Sequence, residues 1–469
     1  MTGMRVTAWL ACVLFLTGCA SSHYYTLPHA DVVGPCQASV PERDLLIGVA
    51  LSGGGSRAAL FAEAGLEALT QIRTADGASL IDRVDHISSV SGGSLSASYY
   101  ILKKPGRGVA VLNPDGTMSP AYRTFFDQYR VDLSQDFETS LIWRQLLSFR
   151  WLNSALAART LAEILKQRLY GDARIQDLSA REKAGDTPGI IINTTLYNNG
   201  RRLALTSLPK EEFDYDFFAD LERSLEKRGQ HMEATPFIRE RWKLLRPMTP
   251  IEIHMDPCPT AVAAAATASA SFAPLIGPTT LRLGDKEAYW HVGDGGLYEN
   301  SGIESLLFLY LKQLQAKRAK RAIIIALDSS YPFSVDEARL LKRSLPFSLL
   351  NFDFSRIPGI MEERAITYQA LFFRTLQLEG VFPDIKTLTV IPLRHTDAKW
   401  AADLSDLPPA CKAELQPMKT TEDVTNRIAA IPTRLGLTSA CDRELIYTAA
   451  NKLVTEYKDA ILDFIDRRR

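Results

Sequence analysis

The stretch that decides the fold is LLIGVALSGGGSR, residues 45–57. Residues 45–51 form a continuous apolar run of strand length, which is typical of a strand buried on both faces of a parallel sheet. Three consecutive glycines follow, and from Arg57 onwards apolar residues recur at helical spacing. A buried strand, a glycine-rich loop and a helix in succession predict the first unit of an α/β domain.

The same alternation continues along the chain. Five further apolar runs predict strands, at residues 84–90, 189–195, 288–292, 322–327 and 387–392. Helical periodicity predicts helices at residues 57–74, 93–103, 160–169, 262–272, 301–317 and 441–466. This pattern predicts a three-layer α/β/α sandwich with a mostly parallel central sheet. Active sites in such sheets lie at the carboxyl ends of the strands, so motifs that follow a predicted strand are the first place to look.

A serine follows the second predicted strand, in the sequence Ser89-Val90-Ser91-Gly92-Gly93. Small neighbours allow a sharp turn from strand into helix that presents the Ser91 hydroxyl, the arrangement called a nucleophile elbow. Its usual pattern is G-x-S-x-G, and Ser89 stands in place of the first glycine. A serine–glycine loop without a catalytic role is the alternative interpretation.

An aspartate follows another predicted strand, in Asp294-Gly295-Gly296. A carboxylate there could accept the proton of Ser91, although an ordinary Asp-Gly turn is the default for this stretch alone. A conventional Ser-Asp-His order needs a histidine after the acid. His395 is the only one, and its setting is typical of a strand exit, while His291 should point to the opposite face of its strand from Asp294. We therefore predict a Ser91–Asp294 dyad.

The glycine loop predicts an oxyanion hole. Without a Cβ, Gly53, Gly54 and Gly55 can expose consecutive backbone amides, and the amide of Gly92 adds another. Arg57 either neutralises charge near the hole or begins the following helix. A phosphate-binding loop is disfavoured, because no Gly-Lys-Ser/Thr follows and Ala58 occupies the last position of G-x-G-x-x-G.

Together these residues closely resemble the patatin-like phospholipase family, which combines a G-G-G-x-R/K loop, a G-x-S-x-G serine and a D-G-G/A aspartate. Two looser stretches also match, Ile191–Thr195 with Asn199-Gly200-Arg201, and Ala268–Pro274. The resemblance spans residues 45–330. It implies hydrolysis of phospholipid or lysophospholipid acyl esters through an acyl-serine intermediate, without metal or cofactor. The alternatives are a catalytically silent, envelope-binding lipoprotein with the same fold, or a thioesterase or protease with the same dyad.

The N-terminus indicates export. Arg5 precedes the apolar run 8–16, which has the length of a signal-peptide core. Leu16-Thr17-Gly18-Cys19 resembles the bacterial lipobox, which implies removal of residues 1–18 and lipidation of Cys19. Ala20 and Ser21 follow with no aspartate, so the expected location is the outer membrane, facing the periplasm. A plain signal peptide with Cys19 incidental is the alternative.

Four further cysteines, Cys36, Cys258, Cys411 and Cys441, allow two disulfides in an oxidising compartment, with three pairings. Cys411 with Cys441 would close a C-terminal loop and leave Cys36 with Cys258; free buried thiols are the alternative. No cysteine or histidine cluster has zinc spacing.

The composition is that of a globular chain of 469 residues, 46% hydrophobic and 23% charged. Lys+Arg and Asp+Glu both total 54, so a basic surface for nucleic acid is not expected. We expect a tether at residues 19–43, the hydrolase domain at 44–395 and a C-terminal helical extension at 396–469. The apolar segment 105–188 is either core or a lipid-facing lid. The sequence gives no prediction of oligomeric state.

Overall fold

One sheet organises the chain in the computed structural model, which describes residues 24–330 apart from 33, 149, 151–155, 273–275 and 285–287, residues 387–467 apart from 415–417, and residues 364, 365, 367, 368 and 371. Its nine strands, within this described part, are β1 (Tyr24–Leu27), β2 (Leu45–Leu51), β3 (His86–Val90), β4 (Gly189–Leu196), β5 (Arg201–Leu205), β6 (Thr279–Leu283), β7 (Tyr289–Asp294), β8 (Arg321–Asp328) and β9 (Leu388–Arg394). Their order is β1-β6-β7-β4-β3-β2-β8-β9, with β5 paired to β4.

Thirteen α-helices connect and cover these strands in the described ranges. They are α1 (Gly55–Thr70), α2 (Gly92–Lys103), α3 (Pro120–Leu133), α4 (Phe137–Leu147), α5 (Leu156–Leu165), α6 (Ile175–Lys183), α7 (Phe217–Glu226), α8 (Pro236–Leu245), α9 (Val262–Ser269), α10 (Ile303–Gln315), α11 (Pro409–Lys412), α12 (Thr421–Ala429) and α13 (Ala440–Asp466). None of the helices in this described part is long and apolar enough to cross a membrane.

The sheet is mixed but mostly parallel, which confirms the predicted fold class. Strands β4, β3, β2, β8 and β9 run parallel to one another, and β1 is parallel to β6. Strands β5 and β7 are antiparallel to β4, and β6 is antiparallel to β7. All six predicted strands are present, whereas β1, β5 and β6 were not predicted.

Residues of β2 show directly that the sheet is covered on both faces. Ile47, Val49 and Leu51 belong to the hydrophobic cluster that includes α1, α2, α9 and α13. Leu46 and Ala50 belong to a second cluster, which is built largely by α10. Successive side chains of a strand point to opposite faces, so each face packs against its own layer of helices. The result is the expected three-layer arrangement.

The N-terminal segment differs from the expected tether. Residues 24–27 form β1, which pairs with β6 from Tyr24↔Thr280 to Leu27↔Leu283. A disulfide joins Cys36 to Cys258, and Val40 is buried. The prediction of a tether was wrong for residues 24–43. This stretch is fixed to the domain by the pairing of β1 with β6 and by the disulfide to Cys258, both distant in sequence. The signal peptide 1–18 and the lipidation site Cys19 lie outside the described residues.

The C-terminal region is helical as expected, and it packs into the main core rather than extending from it. Leu445 and Leu453 of α13 are buried in the same cluster as α1, and a disulfide joins Cys411 to Cys441. Together with Cys36–Cys258, this is one of the three pairings that the sequence allows. Within the segment weighed as core or lid, Phe137 and Leu141 are buried, whereas four apolar residues of α4 are exposed, namely Ile142, Trp143, Leu146 and Leu147.

Candidate active site

Ser91 lies on the turn between β3 and α2, at the carboxyl edge of the parallel strands. Its backbone has φ 50° and ψ −118°, a left-handed conformation that is rare and strained for a residue with a side chain. The Ser91 amide donates to Ser269 Oγ at 2.9 Å, which holds the turn against the end of α9. The side chain is 9% exposed. This is the geometry of a nucleophile elbow.

Asp294 ends β7 and is buried beside Ser91. Its Oδ1 accepts a hydrogen bond from the Gly296 amide at 2.8 Å. Burial raises the pKa of this carboxyl from 3.8 to about 7, while the hydrogen bonds from Gly296 and from the Ser91 hydroxyl lower it. The Ser91 hydroxyl therefore acts on the titration of Asp294, and the two side chains predicted to act together lie in the same site.

The strand register explains why residues so distant in sequence meet. Val90 is opposite Asn193 in the β3–β4 pair, so the next residues along both strands, Ser91 and Thr194, are level. Thr194 is in turn opposite Asp294 in the β4–β7 pair. Two strand spacings, about 10 Å, separate the two backbones in the plane of the sheet, so the register brings both residues to the same part of the sheet.

The glycine loop between β2 and α1 lies against Ser91, and its amides differ in their availability. The Gly53 amide donates to the carbonyl of Asn300 at 2.9 Å, so the expectation that Gly53 contributes to an oxyanion hole is wrong. Among the described residues, no acceptor is bonded to the amides of Gly54, Gly55 or Gly92. These three amides are the donors that a developing oxyanion could use.

Close backbone packing requires glycine at these positions. A Cβ on Gly92 would lie 2.0 Å from the Gly55 carbonyl oxygen, and one on Gly55 would lie 2.2 Å from the Arg434 carbonyl oxygen. Gly54 and Gly55 also have positive φ angles, 138° and 61°. The three available amides therefore belong to backbone segments in direct contact.

Comparison with known proteins identifies the arrangement. A model of the patatin-like phospholipase family matches residues 49–307, more than half of the chain. The chain belongs to this family. The matched range includes the glycine loop, the Ser91 turn and the Asp-Gly-Gly sequence. Membership supports lipid acyl hydrolase activity, which requires a nucleophile, a base and an oxyanion site of the kind described.

The solved structures matched by this patatin-like protein share little sequence with it. Human GIVD cytosolic phospholipase A2 is 13% identical with a TM-score of 0.45, and the match covers 91% of this chain and 60% of that one. VipD from Legionella pneumophila is 13% identical with a TM-score of 0.25, covering 90% of this chain and 67% of VipD. A search of the curated proteins found no match.

Arg57, the last residue of the patatin-like G-G-G-x-R sequence, lies in the first turn of α1. Its side chain is buried below the loop. Its Nε donates to the Ser329 carbonyl at 3.0 Å and a terminal nitrogen to Thr433 Oγ1 at 3.2 Å, and it also donates to the Ile431 carbonyl. The guanidinium thus joins α1 to the end of β8 and to the segment before α13. These bonds favour a positioning role over direct contact with an oxyanion.

A buried set of hydroxyl and amide groups supports the Ser91 turn, and sequence reasoning had assigned these groups no role. Ser269 Oγ donates to the Asn193 carbonyl at 2.6 Å, and Ser94 Oγ lies 2.9 Å from Ser269 Oγ. Ser89, which replaces the usual glycine, accepts from Ser94 Oγ at 3.0 Å and donates to the Ile191 carbonyl at 3.3 Å. The substituted position is therefore accommodated with its hydroxyl satisfied. Asn193 and Ser269 fall in the two looser stretches of resemblance, which was the available signal.

Asn300 was also missed. Its carbonyl accepts from Gly53, and its side chain packs so closely that a Cβ on Gly53 would lie 2.0 Å from its Oδ1. A Cβ on Gly296 would lie 2.6 Å from the same atom. Asn300 therefore joins the glycine loop to the Asp-Gly-Gly loop.

The histidines are placed as the dyad interpretation expects. His395 is buried at the end of β9 with its ring edge-on to Phe61, and burial, with the nearby Arg57 charge, lowers its pKa to about 3. No hydrogen bond among the described residues joins it to Ser91 or Asp294. His291 lies near the surface and bonds Thr280 Oγ1 at 3.0 Å.

One group of side chains with metal-binding atoms does not include any residue of this site. In the described part of the chain, His29, Asp31 and His254 place ligand atoms within 4.8 Å of one another, and all three are exposed. Cys36 and Cys258, near Asp256, are joined as a disulfide.

Proposed function

We propose that the chain is a serine-dependent hydrolase of lipid acyl esters in which Ser91 is the nucleophile and Asp294 the base. The observation that carries the proposal is the placement of a serine on a strained turn and a buried carboxyl level with each other across β4, beside three backbone amides that no acceptor in the described ranges engages. With a pKa of about 7, a substantial fraction of Asp294 is ionised near neutral pH. The ionised carboxylate is also basic enough to accept a proton from the Ser91 hydroxyl.

The reaction has two halves. Ser91 Oγ attacks the ester carbonyl as Asp294 takes its proton, and the amides of Gly54, Gly55 and Gly92 bind the oxyanion of the tetrahedral intermediate. Collapse breaks the bond to the alcohol, which leaves with the proton from Asp294, and an acyl-serine remains. Water then attacks the acyl carbonyl, Asp294 accepts its proton and returns it to Ser91 Oγ, and the fatty acid is released.

The substrate we infer is a phospholipid or lysophospholipid of the cell envelope. The family supports a lipid acyl ester, and the lipobox-like sequence ending at Cys19 supports a lipid anchor at the outer membrane, facing the periplasm. Two disulfides fit this location, because such bonds persist in oxidising compartments. The reaction as written uses only side chains and backbone amides of this chain.

The test is the release of fatty acids from mixed bacterial phospholipids, followed by mass spectrometry. Wild type should release them, and Ser91→Ala should lose the activity while keeping its thermal unfolding transition. Ser148→Ala, at an exposed serine after α4, is the matched control and should behave as wild type. Equal release by Ser91→Ala would refute the nucleophile. Inactivity of wild type on all lipids would favour a silent, envelope-binding protein, and activity restricted to thioesters or peptides would favour a thioesterase or a protease.

A further inference from the structure

Helix α8 turns its apolar side chains outward. Phe237 is 68% exposed and Leu245 44%, and none of the residues of the helix is buried. Residues 237, 238, 241, 244 and 245 fall within an arc of about 120° when drawn at 3.6 residues per turn. We call this set the α8 face. A surface helix normally directs such a stripe towards the core, so the α8 face is unusual in pointing to solvent.

The opposite side of α8 fixes this orientation. Trp242 Nε1 donates to the Tyr215 carbonyl at 3.1 Å, and its ring packs on Phe217 with centroids 4.7 Å apart. Arg246 donates to Glu252 at 2.6 Å, just after the helix ends. Turning the apolar residues inward would break these contacts.

The charge of α8 indicates what covers its outward side. Residues 236–246 carry four basic side chains and one glutamate. Arg239 and Arg246 pair with Glu222 and Glu252 on the inward side, and Lys243 pairs with Glu240. Arg241 is the basic residue of the α8 face. The Arg241 guanidinium lies 5.2 Å from the centroid of the Phe237 ring, so a cation lies within the apolar set. Helices that combine aromatic and aliphatic residues with arginine and lysine lie in the interface of anionic membranes.

The α8 face is also adjacent to the candidate active site. Tyr298, four residues after Asp294, donates to the Leu244 carbonyl at 3.5 Å, and Arg202 donates to the Leu245 carbonyl at 3.0 Å. Arg202 is opposite Thr195 in the β4–β5 pair, and the Thr195 hydroxyl donates to the Asp294 carbonyl at 2.8 Å. A surface bound to α8 would therefore lie close to the edge of the sheet that holds Asp294.

We propose that the α8 face docks onto an anionic lipid surface. The purpose of this docking, which is to hold the active site next to its lipid substrate, rests on the proposed function. The docking itself requires no catalysis. The apolar residues enter the interfacial region while the Arg241 guanidinium remains at the level of the lipid phosphates.

The experiment is co-sedimentation of the full chain with vesicles of equimolar phosphatidylglycerol and phosphatidylcholine, and with vesicles of phosphatidylcholine alone. All proteins carry Cys19→Ser, so an acyl anchor cannot dominate binding. The parent protein should bind the anionic vesicles more tightly. Phe237→Ser and Leu245→Ser should each weaken this binding about tenfold. Arg241→Glu should weaken it about tenfold at low salt and far less at high salt.

Val131→Ser is the matched control, because Val131 is 62% exposed on α3, and it should leave vesicle binding unchanged. Circular dichroism melts verify that each variant is folded. Binding that is absent, independent of lipid charge or insensitive to the α8 substitutions would overturn the proposal. The proposal would also be overturned if the protein forms an oligomer that these substitutions break apart. A second copy of the chain, and not a lipid surface, would then cover the α8 face.

Adding Ser91→Ala separates this idea from the proposed function. That protein should bind vesicles as tightly as its parent. A chain that hydrolyses no lipid, yet docks through α8, would refute the enzyme and leave the docking surface standing.

Discussion

Replacing Asp294 with asparagine probes the electrostatic feature on which the site depends, a carboxyl group in a buried position. Burial raises the pKa of Asp294 to about 7, against the hydrogen bonds from Gly296 and Ser91. In the unfolded chain an aspartate titrates near its ordinary pKa of about 3.9. Between these two values the folded protein holds a proton that the unfolded chain has lost.

The free energy of unfolding consequently falls as the pH rises through this window. Unfolding releases a proton there, so raising the pH favours the unfolded chain. The contribution of protonated Asp294 is fully present below about pH 4 and is lost as the pH passes about 7. One pKa unit corresponds to about 1.4 kcal/mol, so the loss totals about 4 kcal/mol, of which about 3 kcal/mol lies between about pH 5 and about pH 9.

Asparagine has nearly the same shape, accepts the Gly296 amide through its carbonyl oxygen and does not titrate. The stability of Asp294→Asn relative to wild type should therefore increase by about 3 kcal/mol from about pH 5 to about pH 9. Urea unfolding of both proteins at both pH values measures this difference. Other buried acids, such as Glu299 with a pKa of about 7, are present in both proteins and largely cancel. A stability difference that does not change with pH would refute the reasoning.

The same titration should appear in catalysis. Asp294 must be ionised to accept the Ser91 proton, so kcat/KM of wild type should rise with pH and level off above about pH 7. Asp294→Asn should reduce kcat about a thousandfold or more, as loss of the catalytic aspartate does in other serine hydrolases. A rate that is already constant well below pH 7 would show that another group accepts the proton.

Three other perturbations have defined outcomes. Gly92→Ala places a Cβ 2.0 Å from the Gly55 carbonyl oxygen and should reduce kcat about a hundredfold in initial-rate assays. Gly108→Ala is the control, because no atom lies within 4 Å of the added Cβ, and it should leave kcat unchanged. Arg57→Met removes two buried hydrogen bonds and one part-buried hydrogen bond, and it should lower the free energy of urea unfolding by about 3 kcal/mol or more. Unchanged stability would contradict its positioning role. Cys411→Ser opens a disulfide that spans 30 residues and should cost about 3–4 kcal/mol without reductant, and with reductant the variant and wild type should unfold together.

Features carried by neighbouring residues could be predicted from the sequence. The apolar run 45–51 and the glycines after it gave β2, its loop and the start of α1, because burial on both faces leaves a continuous apolar pattern. Ser91 and Asp294 were recognisable because each directly follows such a run. Their proximity follows from strand register, because β7 runs antiparallel to β4 and brings Asp294 level with Thr194, beside the end of β3.

Features that depend on distant partners could not be predicted in the same way. Strand β1 has four residues, too few to give a recognisable strand pattern, and it pairs with β6. Nothing local distinguishes the Gly53 amide from those of its neighbours, but Asn300 engages only the first. The site of Arg57 is likewise set by carbonyls far along the chain. Local sequence patterns therefore identify the reacting groups. The contacts that fix these groups in position are made by distant residues and become visible only in the folded structure.

The attack of Ser91, activated by Asp294, on acyl carbonyls is the step from which the proposed activity follows. Reaction with a long-chain alkyl fluorophosphonate, followed by peptide mass spectrometry to locate the adduct, measures the reactivity of that serine without any assumption about the natural lipid. We expect one adduct on Ser91 in wild type, none in Ser91→Ala and slow formation in Asp294→Asn. An adduct on a different serine, or none on a folded wild-type protein, would contradict the assignment of Ser91 as nucleophile.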